Sequence, residues 1–278
     1  MMIDMRAIGV FDSGYGGLTV LREFEKSLPG YDFVYLGDNA RAPYGTRSFE
    51  VVYQYTWEAV RRLFSMGCPL VVLACNTASA KALRTIQQQD LPQTDDPSRR
   101  ILGVIRPSAE FVGSATRTRH VGILATEGTV RSRSYELEIA KLHPDVTVVQ
   151  EACPIWVPLV EAREADGPGA DYFVRRHLEA LLSRDPQIDT IVLGCTHYPL
   201  LINKIRQCIP SGIRLVDQGS VVAASLVDYL GRHPEMDSRL SRGDRHLFYT
   251  TEVESAFDER AGYFLGRDIK SVRLDTLG

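Results

Sequence analysis

Two cysteines occupy matching settings in the two halves of the chain. One stands in Leu70-Val71-Val72-Leu73-Ala74-Cys75-Asn76-Thr77, the other in Thr190-Ile191-Val192-Leu193-Gly194-Cys195-Thr196-His197. Each follows a short apolar run and a small residue, and each precedes small polar residues able to cap a helix. A thiol titrates near ~8.5 when unperturbed, and a helix N-terminus favours its thiolate. One such cysteine alone is more often a small core hydrophobe. Two in equivalent places suit a site that reaches one carbon from opposite faces, removing a proton on one side and returning one on the other.

Neighbouring residue types fit that chemistry. Asn76, Thr77 and Thr196 can cap helices or donate hydrogen bonds to a substrate carboxylate. His197 stands two residues beyond Cys195, where it can tune the thiol or donate a proton, although a lone histidine is more often a structural hydrogen-bonder. Near the N-terminus, Asp12-Ser13-Gly14-Tyr15-Gly16-Gly17 follows an apolar run and opens a helix. Its backbone N–H groups can face an anion, or the glycines can simply make a tight turn. It is not a dinucleotide fingerprint, because residue 19 is threonine, and it has no Walker A lysine. Asp12 can hold an ammonium group or cap the helix. In Asp38-Asn39-Ala40-Arg41-Ala42-Pro43-Tyr44-Gly45, Pro43 stiffens and Gly45 relieves a loop, as in a shaped binding loop or an ordinary turn.

The elements that must position these groups alternate between short apolar runs and longer amphipathic stretches, the mark of an α/β fold with mainly parallel strands. Strands are predicted at 7–11, 32–36, 70–74, 101–104, 120–125, 146–151, 190–194, 214–217 and 245–250. Helices are predicted at 17–27, 49–66, 79–89, 108–115, 129–142, 171–183, 200–207 and 221–230. The stretch 87–100 is polar and contains two prolines, and reads as a linker or exposed loop; a weaker break lies at 210–212. Ile8-Gly9-Val10-Phe11-Asp12 resembles Val121-Gly122-Ile123-Leu124-Ala125, at nearly the spacing that separates the two cysteines. This predicts two pseudo-symmetric α/β domains, 1–99 plus 213–278 and 100–212, with the site at their interface off the strand ends.

Composition narrows the class. The chain has 278 residues, 44% hydrophobic and 24% charged, with a net charge of −3, as expected of a soluble globular protein. No basic stripe interleaved with aromatics suggests a nucleic-acid partner. There is no apolar leader at the N-terminus and no run long enough to span a bilayer, which predicts a cytoplasmic protein without a membrane partner. Cys68, Cys75, Cys153, Cys195 and Cys208 are an odd set with no CxxC, so neither a disulfide framework nor a zinc ribbon is expected. No metal site is expected.

Four ordered motifs, Gly9-Val10-Phe11-Asp12-Ser13-Gly14-Tyr15-Gly16-Gly17, Pro43-Tyr44-Gly45, Ala74-Cys75-Asn76-Thr77-Ala78-Ser79 and Gly194-Cys195-Thr196-His197-Tyr198-Pro199, resemble the signatures of the glutamate racemases. The likeness runs over nearly the whole chain, through Phe248-Tyr249-Thr250-Thr251 and Phe264-Leu265-Gly266. It implies two α/β domains with the site between them. It also implies interconversion of L- and D-glutamate without pyridoxal phosphate, metal or other cofactor, supplying D-glutamate for peptidoglycan. By motif, Cys75 and Cys195 become the acid/base thiols. Asp12, Ser13, Tyr44, Gly45, Asn76, Thr77, Thr196 and His197 become substrate contacts. Thr126 and Thr129 match a weaker threonine pair, and Glu161 a carboxylate supporting the second cysteine. The linker near 94–100 and Arg106 depart from the pattern outside these motifs. The resemblance leaves a homodimer open. Two alternatives stand beside it. Aspartate racemases share paired cysteines but usually carry Glu after Cys-Thr, where this chain has His197. A thiol hydrolase would use Cys195 as nucleophile and His197 as base, leaving Cys75 without a role.

Overall fold

Strands buried on both faces must be apolar along their whole length, and the runs that bracket the two cysteines are of this kind. The computed structural model describes residues 6–277; residues 1–5, which hold most of the N-terminal stretch read for a leader, and Gly278 lie outside the described part. The described residues form β1 (Ile8–Asp12), β2 (Phe33–Gly37), β3 (Leu70–Leu73), β4 (Arg100–Gly103), β5 (His120–Ala125), β6 (Thr147–Ala152), β7 (Thr190–Gly194), β8 (Arg214–Val216), β9 (His246–Thr250) and β10 (Ser271–Arg273). β1, β2, β3 and β7 are buried throughout.

All strand pairs are parallel, in a six-stranded sheet of order β10-β9-β2-β1-β3-β4 and a four-stranded sheet of order β6-β5-β7-β8. The duplication expected from sequence is visible in this order. In one sheet the chain steps from β1 out to β2 and returns across β1 to β3 and β4. In the other it steps from β5 to β6 and returns to β7 and β8. Each sheet therefore has a switch point, between β1 and β3 and between β5 and β7, where parallel sheets open a crevice at their carboxyl ends. Asp12 ends β1, Cys75 follows β3, Thr126 follows β5 and Cys195 follows β7.

The halves share packing. One buried apolar cluster takes in Ile8 and Phe24 from the first and Trp156 and Leu193 from the second. The helix Gln218–Arg232, capped by Asp217 on Gly219 N, packs against both Gly17–Ser27 and Ile105–Ala115. By strand pairing, the halves divide later than expected at both junctions. Residues 100–103, expected to open the second domain, form β4 and pair with β3. Residues 214–216, expected to return to the first, form β8 and pair with β7. The polar stretch 87–100 thus joins two neighbouring strands of one sheet, and β9 and β10 are what return to the first sheet beside β2.

Helix ends moved where capping chemistry overrode periodicity. The helix expected at 79–89 begins at Asn76, because Cys75 has extended dihedrals and its Sγ accepts from Ala78 N at 3.4 Å. It then breaks into Leu83–Thr85 and a wide turn at Ile86–Asp90. The helix expected at 129–142 is split by Arg133, which takes a left-handed φ of 56°. The helices Trp156–Glu161 and Glu254–Leu265 and strand β10 were not read from sequence.

Candidate active site

The carboxyl ends of β1, β3, β5 and β7 converge on a cavity of about 490 Å³ lined by both cysteines. Every residue named from the motifs lines it: Asp12, Ser13, Tyr44, Gly45, Cys75, Asn76, Thr77, Cys195, Thr196 and His197. Thr126 and Glu161 line it as well. Thr129 is buried behind Thr126 and Thr77, with Oγ1 3.1 Å from the first and 3.5 Å from the second.

Cys75 caps its helix, and Ser13 Oγ lies 3.4 Å from its Sγ. Burial, reinforced by the nearby Asp12 carboxylate, pushes the Cys75 thiol up to about 12, against the hydrogen bonds from Ser13 and Ala78. The helix start expected to favour a thiolate is therefore outweighed by desolvation and a like charge. Asp12 is 1% exposed and accepts from Gly14 N at 2.9 Å. Burial raises its pKa, while His197 and the backbone N–H groups of Gly14 and Gly17 pull the other way. A cationic partner beside Asp12 would satisfy it and weaken its effect on Cys75.

Cys195 is set differently. A short 3₁₀ turn at Tyr198–Leu201 follows it, and its carbonyl accepts from Tyr198 N at 3.1 Å. The second thiol therefore does not share the capping role of Cys75. Its partner is His197, whose Nδ1 lies 3.9 Å from Cys195 Sγ and whose Nε2 lies 2.9 Å from Glu161 Oε1. Phe264 meets the imidazole edge to face at 5.2 Å.

Several contacts bind the halves together at the cavity wall. Thr77 Oγ1 is 3.0 Å from Thr126 Oγ1, and Gly128 N donates to Gly45 O at 2.9 Å. Thr19 Oγ1 donates to Thr196 O at 3.0 Å or to Gly16 O at 2.8 Å. The Tyr44 hydroxyl is committed to the buried carboxylate of Asp38, which Arg41 and Thr251 also reach, at 2.7 and 2.9 Å. Tyr44 thus lines the wall with its phenol engaged in that network. Sequence reasoning missed Cys153 and Arg260, which also line the cavity. Arg260 lies on the helix Glu254–Leu265, which was not read from sequence, although Phe264-Leu265-Gly266 at its end belonged to the likeness. Cys153 follows β6 as Cys75 follows β3, but without a polar motif behind it.

The glycine loop after β1 has a use that neither reading of it anticipated. A Cβ at Gly16 would stand 2.1 Å from Thr196 Oγ1 and 2.4 Å from His197 Nδ1. Glycine here is what lets the Thr196-His197 segment close onto the first half. Gly16→Ala is expected to displace that segment by an ångström or so and to lower kcat/KM by about 100-fold. Circular dichroism should stay native-like; steady-state rates at native level in this variant would contradict the close-approach reading.

The family described as Asp/Glu/hydantoin racemase matches residues 8–226. A glutamate racemase of Geobacter metallireducens is 41% identical over 268 residues, covering 96% of this chain and 95% of that protein. Among solved structures, glutamate racemase isoform RacE1 of Bacillus anthracis superimposes with a TM-score of 0.89 at 34% identity, over 98% of each chain. The glutamate racemase of Francisella tularensis, solved in complex with D-glutamate, gives 0.84 at 28% identity over 99% of each. The aspartate racemase of Picrophilus torridus gives 0.53 at 18% identity, over 81% of this chain and 94% of that one, a likeness of fold alone.

Proposed function

The chain belongs to the Asp/Glu/hydantoin racemase family, and we propose that it interconverts L- and D-glutamate, with Cys75 and Cys195 as the two proton carriers. The observation that carries this reading is the pair of buried cysteines, one from each half at equivalent strand ends, lining one cavity. One thiolate removes the α-proton and the opposite thiol protonates the other face, so the roles exchange with direction. Negative charge then develops towards the α-carboxylate, for which Asn76, Thr77 and Thr196 offer donors that need no reorganisation. Asp12 is placed to receive the ammonium group, and in doing so relieves the charge that adds to burial in holding Cys75 protonated. Closure between the halves excludes water and strengthens each of these interactions.

The same reading assigns the enzyme to the cytoplasm, as a source of D-glutamate for peptidoglycan, and leaves a homodimer open. Among the described residues no helix is long and apolar enough to cross a membrane. The deciding experiment is incubation with L-glutamate in D₂O, without added cofactor. The α-proton NMR signal should disappear while optical rotation falls to zero. A retained α-proton would refute racemisation. Accumulation of an acyl-enzyme would instead favour the hydrolase alternative.

Substrate choice follows from length. All amino acids share the ammonium and α-carboxylate, so discrimination must come from where the side-chain carboxylate ends. Residues 12–14 and 43–45 line the cavity, and the loops 12–17 and 43–45 with the Ser13 hydroxyl are the proposed donors for it. Aspartate is one methylene shorter, and reaching the same donors would shift its Cα by roughly 1 Å off the line between the thiols. A displacement of that size costs about 100-fold. Glutamate is therefore expected to exceed both aspartate and glutamine in kcat/KM by about that factor. Equal values for glutamate and aspartate would move the assignment to the aspartate racemases.

A further inference from the structure

Asn76 is held by a closed set of buried groups that the proton-transfer scheme does not use. Gln218, at the start of the helix Gln218–Arg232, is 2% exposed, and Tyr135 and Ser108 are fully buried. Asn76 Nδ2 donates to Gln218 Oε1 at 2.6 Å, and the Tyr135 hydroxyl donates to Asn76 Oδ1 at 2.8 Å. Gln218 Nε2 lies 2.7 Å from the Tyr135 oxygen and 2.9 Å from Ser108 Oγ, and Ser108 in turn donates to Val104 O at 2.9 Å. Asn76 Oδ1 and Val104 O are also within reach of Nε2, at 3.1 and 3.0 Å. One assignment gives each side-chain proton of Gln218, Tyr135 and Ser108 an acceptor. The two Gln218 protons go to Tyr135 and Ser108, whose own protons go to Asn76 Oδ1 and Val104 O. Burial raises the pKa of Tyr135, so its phenol stays a donor.

The consequence lies in the direction Asn76 faces. Its carbonyl oxygen is fixed against Tyr135 and one Nδ2 proton against Gln218, which leaves the second Nδ2 proton for the cavity that Asn76 lines. A free asparagine amide can turn over and present its oxygen instead, which would repel a carboxylate. Asn76 follows β3 in the first half, whereas Ser108, Tyr135 and Gln218 lie on helices after β4, β5 and β8. The orientation of the donor is thus set by elements distant from its own in sequence.

We propose that Gln218 is a positioning residue for racemisation, which fixes the Asn76 amide with an N–H towards the substrate α-carboxylate. This rests on the glutamate racemase reading. A single donor of this kind changes kcat by about 10²–10³-fold, and losing its orientation forfeits part of that. Gln218→Met removes the fixing groups at similar volume and is expected to lower kcat by about 10- to 100-fold with a smaller change in KM. Tyr135→Phe, which removes one donor to Asn76 Oδ1, should lower kcat by about 3- to 10-fold.

The test is a cycle of Asn76→Ala, Gln218→Met and the double variant, each with a thermal melt. If Gln218 acts through Asn76, the double variant has the kcat of Asn76→Ala alone. Losses that multiply, or a native kcat in Gln218→Met, would overturn the proposal while leaving the racemase reading intact. Full activity in Asn76→Ala would remove the donor role of Asn76, and the proposal with it. Absence of glutamate turnover in the native protein would instead refute the racemase reading itself. Should Gln218→Met fail to fold, the same cycle run with Tyr135→Phe decides.

Discussion

Alanine at either Cys75 or Cys195 is expected to lower racemisation of glutamate by about 10⁴-fold, the upper end of what a positioned acid or base contributes. The full effect is expected because, in the proposed scheme, the two thiols act in one step from opposite faces. Ser13 Oγ, at 3.4 Å from Cys75 Sγ, is the nearest hydroxyl, but an unactivated alcohol is far too weak a base to replace a thiolate. Both variants should keep the native fold, since each removes one sulfur from a wall of an existing cavity. Serine is expected to leave partial activity that differs between L- and D-glutamate. The sense of that difference should reverse between Cys75→Ser and Cys195→Ser, because each thiol serves one face. Polarimetry from each enantiomer measures this directly. Near-native rates in Cys75→Ala would refute the two-base scheme.

The two thiols were legible from sequence because parallel strands buried on both faces leave an unmistakable apolar run, and the proposed chemistry sits where that run stops. The same logic located Asp12 and Thr196. The division between halves was less legible. Strands as short as Arg100–Gly103 and Arg214–Val216 carry no mark of which sheet they will join. Their membership is decided by crossover geometry, which depends on the whole half rather than on four residues. The helix Glu254–Leu265 escaped notice because its apolar positions are diluted by charge, and Arg260 escaped with it. Gln218 was invisible for another reason. A glutamine after a short strand is an ordinary surface residue until tertiary contacts bury it against Tyr135 and Ser108. Its importance depends on a network drawn from positions more than 80 residues apart in sequence.

An alkaline limb in kcat/KM, falling through about pH 10, is the signature expected of His197 in the native enzyme. Burial by itself would lower the imidazole pKa. The Cys195 sulfur and the Glu161 carboxylate outweigh it, and together raise it from 6.5 to about 10. A pKa raised in this way keeps the proton through the neutral range and releases it only as pH rises through the higher value. His197 therefore stands as an imidazolium beside Cys195 under ordinary conditions, a positive charge next to a sulfur that must carry a negative one in half of the cycle. His197→Asn keeps a hydrogen-bond donor but removes that charge. It is expected to cost about 10²–10³-fold in kcat and to abolish the limb. Glu161→Gln should keep the imidazole but weaken what holds its proton, so its limb should move towards neutral pH. The pair of variants separates His197 from the other candidate, since Cys75 is pushed up to about 12. A limb that stays in place in Glu161→Gln and survives in His197→Asn would assign the titration to a group other than His197. It would leave His197 as a packing partner of Phe264 and nothing more.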